Sequence, residues 1–420
     1  MIRTEILPNG LRLITERMPD VRSVCLGVWL RQGSRNEPAE VNGISHFIEH
    51  LVFKGTASRS ARDIALAVDS IGGQMDAFTS KEYTCFYAKV LDEHLDVAVD
   101  LLSDIVQRPK FDPQEVERER QVIVEEIRMV EDSPEELIYD LFSSHFYRGH
   151  ALGRPIQGTE RTVRALRRAR IFRFFQGVYR PGNLLIAAAG NLEHRRLARL
   201  IGSAFGSMTS GRRQRSRSGS PRARGGLVRR DKRGLEQLHL LLGLPAYPEN
   251  FAGRYRLFVL NALLGGTMSS RLFQKVREER GLAYTVYSSV NSFLDAGQLV
   301  IYAATNPDRG REAVDVILAE LRDLRDRGPT KVEIEAAKEH LKGSLMLSLE
   351  STVSRMSNLA RQELYFGRQF SLEEILTGID AVSTRGVFDL SRRVLGDGQL
   401  ALAAVGRMGS FRIRSESVRL

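Results

Sequence analysis

The sequence is poor in cysteine and tryptophan and has no long apolar run. Its 420 residues include two cysteines and one tryptophan. Cys25 and Cys85 both lie in apolar, strand-like stretches, so we expect buried thiols rather than a disulfide, and a reducing compartment. No stretch approaches the roughly 18 uninterrupted apolar residues of a membrane span, and the first residues lack the apolar core of a signal peptide. We therefore expect a soluble, intracellular protein with no membrane partner, in a cytoplasm or in the mitochondrial matrix.

Acidic residues are scarce in one stretch, which holds most of the positive charge. The net charge is +11, and residues 207–234 hold nine arginines and one lysine against one acidic residue, Asp231. Nucleic-acid binding is one interpretation of such a stretch, but it contains no aromatic residue that could stack on a base. Interleaved glycine, serine and proline favour a solvated basic linker over residues 207–224. We therefore expect no nucleic-acid partner.

The length of 420 residues predicts more than one domain, and the chain contains a repeat. Residues 257–267 parallel residues 46–56 at an offset of 211, and residues 332–335 echo residues 114–117 at an offset of 218. We therefore predict two copies of one α/β domain, residues 1–206 and 225–420, joined by the basic linker.

A short helical pattern in the first copy suggests a metal site. His46, Glu49 and His50 stand at positions i, i+3 and i+4, which places them on one face of a helix whose other face is apolar. Two neutral imidazoles on adjacent turns can bind one zinc ion, and the carboxylate beside them is a candidate general base. From these residues alone, a polar stripe on an amphipathic helix is an equally good interpretation. In the second copy, leucines and small or amide residues replace the three side chains.

A later helix offers carboxylates that could complete such a site. It opens at residues 112–113, and its apolar positions recur at helical spacing. Glu119 and Glu126, seven residues apart, fall on or beside this apolar stripe, whereas Glu125 is rotated by about 100° from Glu126. A carboxylate directed inward needs a partner, because an unpaired buried charge is costly.

Several motifs together resemble the pitrilysin-type zinc metallopeptidases, also called inverzincins, which include mitochondrial processing peptidase and insulin-degrading enzyme. The resemblance covers nearly the whole chain. The motifs that carry it are HFIEHLVFKGT (46–56), GGQMDAFTS (72–80), EEIR (125–128), HALGRP (150–155) and REERGLAY (277–284). It implies an α+β fold of two homologous domains, each a mostly antiparallel sheet packed with helices, which together form half of a clamshell chamber.

The same resemblance implies roles for the residues of the metal site. The zinc ligands would be His46, His50 and Glu126, with Glu49 as the general base and Glu119 as a supporting carboxylate. A fourth coordination position left for water is typical of catalytic zinc sites. For Glu119, a surface acid in a helix rich in arginine and glutamate is an alternative interpretation.

The resemblance also implies residues that hold the substrate. Arg277 and Tyr284 match a pair that binds the substrate backbone and the tetrahedral oxyanion; without the resemblance they would be interpreted as an exposed arginine and a half-buried tyrosine. Residues 75–90 alternate in polarity as a strand. Within it, Asp76, Ala77 and Phe78 resemble the edge strand on which an extended substrate pairs. Asp76 stands where many relatives have asparagine, which would favour basic substrates.

The sequence therefore predicts a zinc-dependent endopeptidase that cleaves unfolded or short polypeptides inside a closed chamber. Family members of this length form dimers, so we expect a homodimer or a heterodimer with a related chain. The alternative is a catalytically silent assembly or partner subunit of a related peptidase or membrane complex. Such subunits typically lose a ligand or the base, whereas this chain keeps all four residues.

Overall fold

The computed structural model describes residues 1–209, 211, 219–396, 399–409, 411, 413 and 420. Part of the predicted basic linker, residues 210 and 212–218, lies outside the described residues. Within the described part of the chain, no helix is both long enough and apolar enough to cross a bilayer.

Helices and strands alternate along most of the described chain. The strands are β1 (Ile2–Ile6), β2 (Arg12–Arg17), β3 (Ser23–Leu30), β4 (Gln74–Thr79), β5 (Thr84–Leu91), β6 (Leu184–Gly190), β7 (Gly226–Asp231), β8 (Leu238–Ala246), β9 (Ala283–Ser292), β10 (Gly297–Thr305) and β11 (Ala401–Gly406). The α-helices are α1 (Ile44–Val52), α2 (Ala61–Asp69), α3 (Leu95–Gln107), α4 (Pro113–Asp132), α5 (Pro134–Phe146), α6 (Glu160–Ala165), α7 (Arg168–Val178), α8 (His194–Phe205), α9 (Arg254–Asn261), α10 (Gly310–Asp326), α11 (Lys331–Ser348), α12 (Thr352–Tyr365), α13 (Leu372–Asp380) and α14 (Thr384–Val394).

The strands form two sheets with the same underlying topology. The first has the order β1-β2-β6-β3-β5-β4, and the second has the order β7-β11-β8-β10-β9. If the extra strand β1 is set aside, both sheets place the strands of their half in the order first, fifth, second, fourth, third. In both, the first and fifth strands pair in parallel and the other neighbours are antiparallel. The structure confirms the predicted class of helices packed with mostly antiparallel sheets, and the shared order is the topology expected of a duplicated fold.

The chain forms two compact units, and each contains three separate segments of the sequence, whereas the predicted domains are contiguous. Unit 1 comprises Met1–Arg128, Arg154–Ser218 and Leu347–Gln369, and unit 2 comprises Met129–Gly153, Gly219–Met346 and Phe370–Leu420. Each unit therefore takes one helical segment from the opposite half of the sequence. The segment that joins unit 1 contains α12, and the segment that joins unit 2 contains α5.

In unit 1, helices cover both faces of the sheet. One face packs against α1, α3, α7 and α8 in a large apolar core. The other face packs against α12 in a smaller core that contains Trp29, Met356 and both cysteines, which are buried free thiols as predicted. The indole Nε1 of Trp29 donates to Sδ of Met356 at 3.0 Å. Gly27 of β3 makes room for this contact because it has no side chain: a Cβ there would lie 2.6 Å from the same sulfur.

In unit 2, the sheet is covered in the same way. One face packs against α9, α10 and α14, and the other face packs against α5, whose Ile138, Phe142 and Phe146 are fully buried. Gly243 of β8 lies beneath Phe142, and a Cβ at that position would come within 2.1 Å of the phenyl ring. Gly243 therefore makes room for a helix side chain in unit 2, as Gly27 of β3 does in unit 1.

The prediction of one strand over residues 75–90 is wrong, because the stretch forms a hairpin of β4 and β5. Thr79 and Thr84 pair directly across the hairpin. Ser80 makes the turn, since its hydroxyl accepts hydrogen bonds from the backbone N–H groups of Glu82 and Tyr83. Such side-chain bonds to the following backbone compete with an extended strand. The hairpin leaves β4 at the edge of the sheet.

Candidate metal centre

A buried carboxylate and a glycine fix the start of helix α1. Glu37 accepts hydrogen bonds from the backbone N–H groups of Gly43 and Ser45, each at 2.8 Å, and from the amide of Asn42 at 3.0 Å. This carboxyl group satisfies N–H groups that a helix cannot satisfy internally, although burial raises its pKa despite the hydrogen bonds that it accepts. Gly43 has a φ of +96°, and a Cβ there would lie 2.4 Å from the carbonyl oxygen of Gln157. The position therefore accepts no larger residue without a backbone shift.

The two faces of α1 have different surroundings, as the sequence predicts. Its apolar side chains are buried in the main core of unit 1. His46, Glu49 and His50 lie on the opposite face and are partly exposed. The imidazole rings of the two histidines stand 4.7 Å apart, centroid to centroid.

Helix α4 brings a third side chain to the histidines. Oε2 of Glu126 lies 3.8 Å from Nε2 of His46 and 3.5 Å from Nε2 of His50. Glu125 points elsewhere: it is exposed and pairs with Arg128 at 2.7 Å. The structure therefore brings His46, His50 and Glu126 together, and it places Glu125 outside the cluster.

Glu119 lies behind His50, one double turn before Glu126 on α4. Its Oε2 is 3.1 Å from Nδ1 of His50, and its Oε1 is 2.9 Å from Nζ of Lys54. Burial alone would raise the pKa of Glu119, but the hydrogen bonds from His50 and Lys54 outweigh it and lower that pKa. Glu119 is 5% exposed, so it is a buried, ionised partner of His50 rather than a surface acid.

The surroundings of the two histidines shift their pKa values in opposite directions: the pKa of His46 is lowered and that of His50 is raised. Burial, followed by the neighbouring His50, lowers the pKa of His46 to about 3. Burial also works against protonation of His50, but the carboxylates of Glu119, Glu126 and Glu49 outweigh it and raise the pKa of this ring. A metal ion can bind His50 only through a deprotonated ring nitrogen, so metal binding at this residue competes with protons.

Glu49 is a partly buried carboxylate whose pKa is perturbed by its surroundings. Burial raises its pKa, although a hydrogen bond from the hydroxyl of Thr79 to Oε2 works in the opposite direction. Thr79 is the last residue of β4, so the edge strand of the sheet touches the carboxylate on α1 directly. Perturbed carboxylates of this kind are common where a side chain transfers protons.

The cluster fits a divalent ion of the zinc type. One atom from each of His46, His50 and Glu126 can be chosen so that all three lie within 4.8 Å of one another. Ligand atoms about 2.0–2.2 Å from a tetrahedral zinc ion stand roughly 3.3–3.6 Å from each other, close to the separations from Glu126. Two imidazoles and one carboxylate form a ligand set found in catalytic zinc sites. Nδ1 of His46 is buried and has no hydrogen-bond partner among the described residues.

Arg277 and Tyr284, predicted to hold substrate, contact each other within unit 2. The guanidinium carbon of Arg277 lies 4.6 Å from the ring centroid of Tyr284 and 4.8 Å from that of Phe273. Arg277 belongs to a π-helical segment, Phe273–Glu278, and such segments often occur at functional sites. Tyr284 is the second residue of the edge strand β9 and is 76% exposed, so its interpretation as half-buried is wrong.

Asp76, Ala77 and Phe78 lie on the edge strand β4, and their side chains alternate between its two faces. Ala77 packs against the main core on the α1 side, the side on which Thr79 reaches Glu49. Asp76 and Phe78 point to the opposite face. There Tyr87 donates to Asp76 at 3.4 Å and lies 6.5 Å from the ring of Phe78.

Three residues that contact this site were not predicted from the sequence. Lys54 stands four residues after His50, so helical spacing would have placed it on the same face. Thr79 stands two residues after Ala77, so strand alternation would have directed both to the same side. Glu37 has no such signal, because its contact with α1 depends on the path of the intervening loop.

Comparison with known sequences places these features in a family. The profile described as Insulinase (Peptidase family M16) matches residues 12–160, and that of the Peptidase M16 inactive domain matches residues 165–341. The chain is 43% identical to a Bacillus subtilis protein named as the zinc protease YmxG, covering 98% of this chain and 100% of the relative. A Streptomyces coelicolor protein named as a zinc protease is 42% identical, and the match covers 94% of this chain and 87% of the relative. A Mycobacterium tuberculosis protein named as a zinc protease is also 42% identical, and that match covers 99% of this chain and 96% of the relative.

Solved structures share the fold at low sequence identity. A protease from Helicobacter pylori superposes with a TM-score of 0.91 at 22% identity, covering 96% of this chain and 99% of that one. A structure described as the peptidase M16 inactive domain from Pseudomonas fluorescens superposes with a TM-score of 0.91 at 18% identity, covering 97% of this chain and 98% of that one. A chain of complex III from Candida albicans gives 0.86 at 22% identity, with 99% of each chain covered. At these identities, the likeness shows the fold.

Proposed function

This chain belongs to the insulinase family of peptidases, family M16, and we propose that it is a zinc-dependent endopeptidase. In this proposal His46, His50 and Glu126 bind the metal, and Glu49 is the general base. The observation that carries it is the convergence of three candidate ligand atoms within 4.8 Å beside a partly buried carboxylate of raised pKa, that of Glu49. The names of the relatives as zinc proteases support the choice of zinc.

The chain's own residues would perform the proton transfers. Zinc, when bound, supplies a Lewis acid that lowers the pKa of a water molecule to about 7. Glu49 takes the proton from the attacking water, and the hydroxyl of Thr79 holds the carboxylate by its bond to Oε2. The same carboxyl then protonates the departing amine of the peptide. The raised pKa of Glu49 suits both steps, since a base must hold the proton until the leaving group needs it.

The edge strand β4 is the proposed platform for an extended polypeptide. Unpaired backbone groups at a sheet edge can bind a substrate as an added strand. Because side chains alternate along a strand, substrate residues that share a face with Ala77 and Thr79 would lie over the metal centre. Residues that share a face with Asp76 and Phe78 would meet a carboxylate beside aromatic rings, which suits a basic side chain.

Further parts of the proposal rest on the family resemblance. Arg277 and Tyr284 would bind the substrate backbone and the oxyanion, and their mutual contact suits a joint role. The substrate would be an unfolded or short polypeptide held in a closed chamber. That chamber would be formed by a dimer of identical or related chains. The two free cysteines fit a reducing compartment, and we propose the bacterial cytoplasm, with the mitochondrial matrix as the alternative.

The rival function is a silent assembly or partner subunit. The fold likeness to a chain of complex III shows that this architecture also occurs in such an assembly. The rival is disfavoured because this chain keeps His46, His50 and Glu126 in a metal-compatible arrangement and also keeps Glu49.

Metal analysis combined with a peptidase assay distinguishes the two functions. The purified chain should contain about one zinc ion per chain and cleave unfolded peptides, and a chelator should abolish the cleavage until zinc is restored. If the chain binds no zinc and shows no chelator-sensitive cleavage, the peptidase proposal is wrong and the assembly function is favoured.

A further inference from the structure

Lys54 contacts the carboxylate that holds one of the proposed ligands. Helix α1 ends at Val52, and the side chain of Lys54 returns to α4, where Nζ lies 2.9 Å from Oε1 of Glu119. The other oxygen of Glu119 is 3.1 Å from Nδ1 of His50. One buried carboxylate is therefore shared between an ammonium group and an imidazole ring.

The backbone next to Lys54 is fixed by several contacts. Gly55 has a φ of +115°, and its carbonyl accepts a hydrogen bond from the backbone N–H of Lys110 at 3.0 Å. The hydroxyl of Thr56 donates to the buried carboxylate of Asp104 at 2.6 Å. These contacts fix the backbone beside Lys54. The fold therefore places the Lys54 side chain within reach of Glu119.

We propose that Lys54 is a positioning residue for the metal centre, which it serves by holding the carboxylate of Glu119 in one orientation. With Oε1 bound to Lys54, Oε2 remains directed at Nδ1 of His50. The hydrogen bond at Nδ1 then leaves Nε2, the nitrogen that faces Glu126, as the atom that binds metal. The inference rests on the proposed function, because it takes His50 as a zinc ligand.

Physical reasons favour this role over that of an incidental surface pair. The side chain of Glu119 is only 6% exposed, so the loss of one partner would leave a buried oxygen unsatisfied, which is costly. The terminal torsion of a glutamate is broad, so a carboxylate held by His50 alone could rotate away from the ring. Carboxylates that accept a hydrogen bond from a metal-binding histidine orient its ring, and their removal typically weakens metal binding by about 10- to 100-fold. Because Lys54 acts on such a carboxylate, we expect its effect at the lower end of this range.

Zinc affinity of the purified full-length chain tests the inference without reference to activity. We expect Lys54→Met to weaken zinc binding by about tenfold, measured by competition with a chromogenic chelator. Lys54→Arg should restore most of the affinity, since a guanidinium can also bind Glu119. The matched control is Lys110→Met. Lys110 is another lysine of unit 1 paired with an acid, Asp112 at 3.6 Å, and its replacement should leave zinc affinity unchanged.

A double-mutant cycle shows whether Lys54 acts through Glu119. In a Glu119→Gln background, Lys54→Met should have little further effect on zinc affinity, because the carboxylate that it orients is gone. An undiminished effect in that background would overturn the inference, and so would equal zinc affinities of wild type and Lys54→Met. If Lys54→Met does not fold, Lys54→Gln takes its place, with the same outcomes. Wild-type protein that binds no zinc would instead contradict the proposed function itself.

Discussion

Nδ1 of His50 lies 3.1 Å from Oε2 of Glu119, while Nε2 of the same ring lies 3.5 Å from Glu126. The ring is thus held between two carboxylates of one helix that stand seven residues apart. An ionised Glu119 can only accept a hydrogen bond, so in the neutral ring it favours the proton on Nδ1 and leaves the lone pair on Nε2, the nitrogen near Glu126. A hydrogen bond at one nitrogen thereby selects which nitrogen binds a metal.

The first prediction separates two adjacent glutamates. Glu126→Gln should reduce zinc affinity by at least 100-fold, since it removes one of three ligands, and should abolish cleavage. Glu125→Gln is the matched control: Glu125 is exposed and paired with Arg128, so its replacement should leave zinc content and kcat/KM within about twofold of wild type. Both quantities are measured on purified variants with confirmed folds. A Glu126→Gln protein that retains zinc, or a Glu125→Gln protein that loses it, would contradict the proposed ligand set.

The second prediction concerns Arg277 and Tyr284. If both hold the substrate at the reacting centre, Arg277→Ala should lower kcat/KM by about 100-fold, the magnitude typical of a lost oxyanion donor. Tyr284→Phe should lower it less, because the ring remains. The double variant should lose less than the product of the two single effects, since one group can no longer assist the other. Independent effects would argue against a shared role.

The third prediction tests the charge on the edge strand. Asp76→Asn should lower kcat/KM for peptides with arginine or lysine near the cleaved bond by up to about fivefold. That factor corresponds to the about 1 kcal/mol of an exposed ion pair. The same peptides with neutral residues should be cleaved at unchanged rates. The difference should shrink in high salt, which screens exposed charges. Equal losses for basic and neutral peptides would show that Asp76 does not select charge.

The fourth prediction concerns a buried acid that holds the segment after α1. Burial alone would raise the pKa of Asp104, but hydrogen bonds from Thr56, Ser58 and Arg59 outweigh it and lower that pKa. An acid with a lowered folded-state pKa stabilises the fold fully above its unfolded pKa of about 3.9. That contribution disappears as the pH falls through the folded pKa.

Asp104→Asn should therefore destabilise the protein by about 2–3 kcal/mol near neutral pH, measured by denaturant unfolding. The difference between wild type and variant should be constant from pH 5 to 8 and should shrink below about pH 4. A difference that grows on acidification would have the wrong sign for this assignment. Asp100→Asn is a suitable control, since Asp100 also pairs with Arg59 but its side chain is 56% exposed.

The sequence predicts the local part of the site well. Helical spacing alone places His46, Glu49 and His50 on one face, because the positions of residues within two turns follow from helix geometry. The facing argument and the resemblance both favour Glu126 over Glu125, and the structure brings Glu126 to the histidines. The alternating strand pattern does not reveal the break at Ser80, because a hydroxyl that bonds the following backbone leaves hydrophobic periodicity intact.

Long-range packing is the part that the sequence does not reveal. The patterns of α5 and α12 show that each helix has an apolar face, but they do not show which sheet it covers. Gly243 could be read as a flexible residue in a strand, yet its role is to admit the ring of Phe142. The buried contact between Glu37 and Gly43 likewise depends on a loop whose path has no periodic signal.

The most direct test of the proposed mechanism is a comparison of wild type with Glu49→Gln for both zinc content and peptide cleavage. Glu49 is not a ligand in this mechanism, so the variant should bind zinc with an affinity close to that of wild type. Its kcat should fall by about 10³-fold, the magnitude typical of a lost general base. A zinc-loaded Glu49→Gln protein that cleaves peptides as fast as wild type would contradict the mechanism.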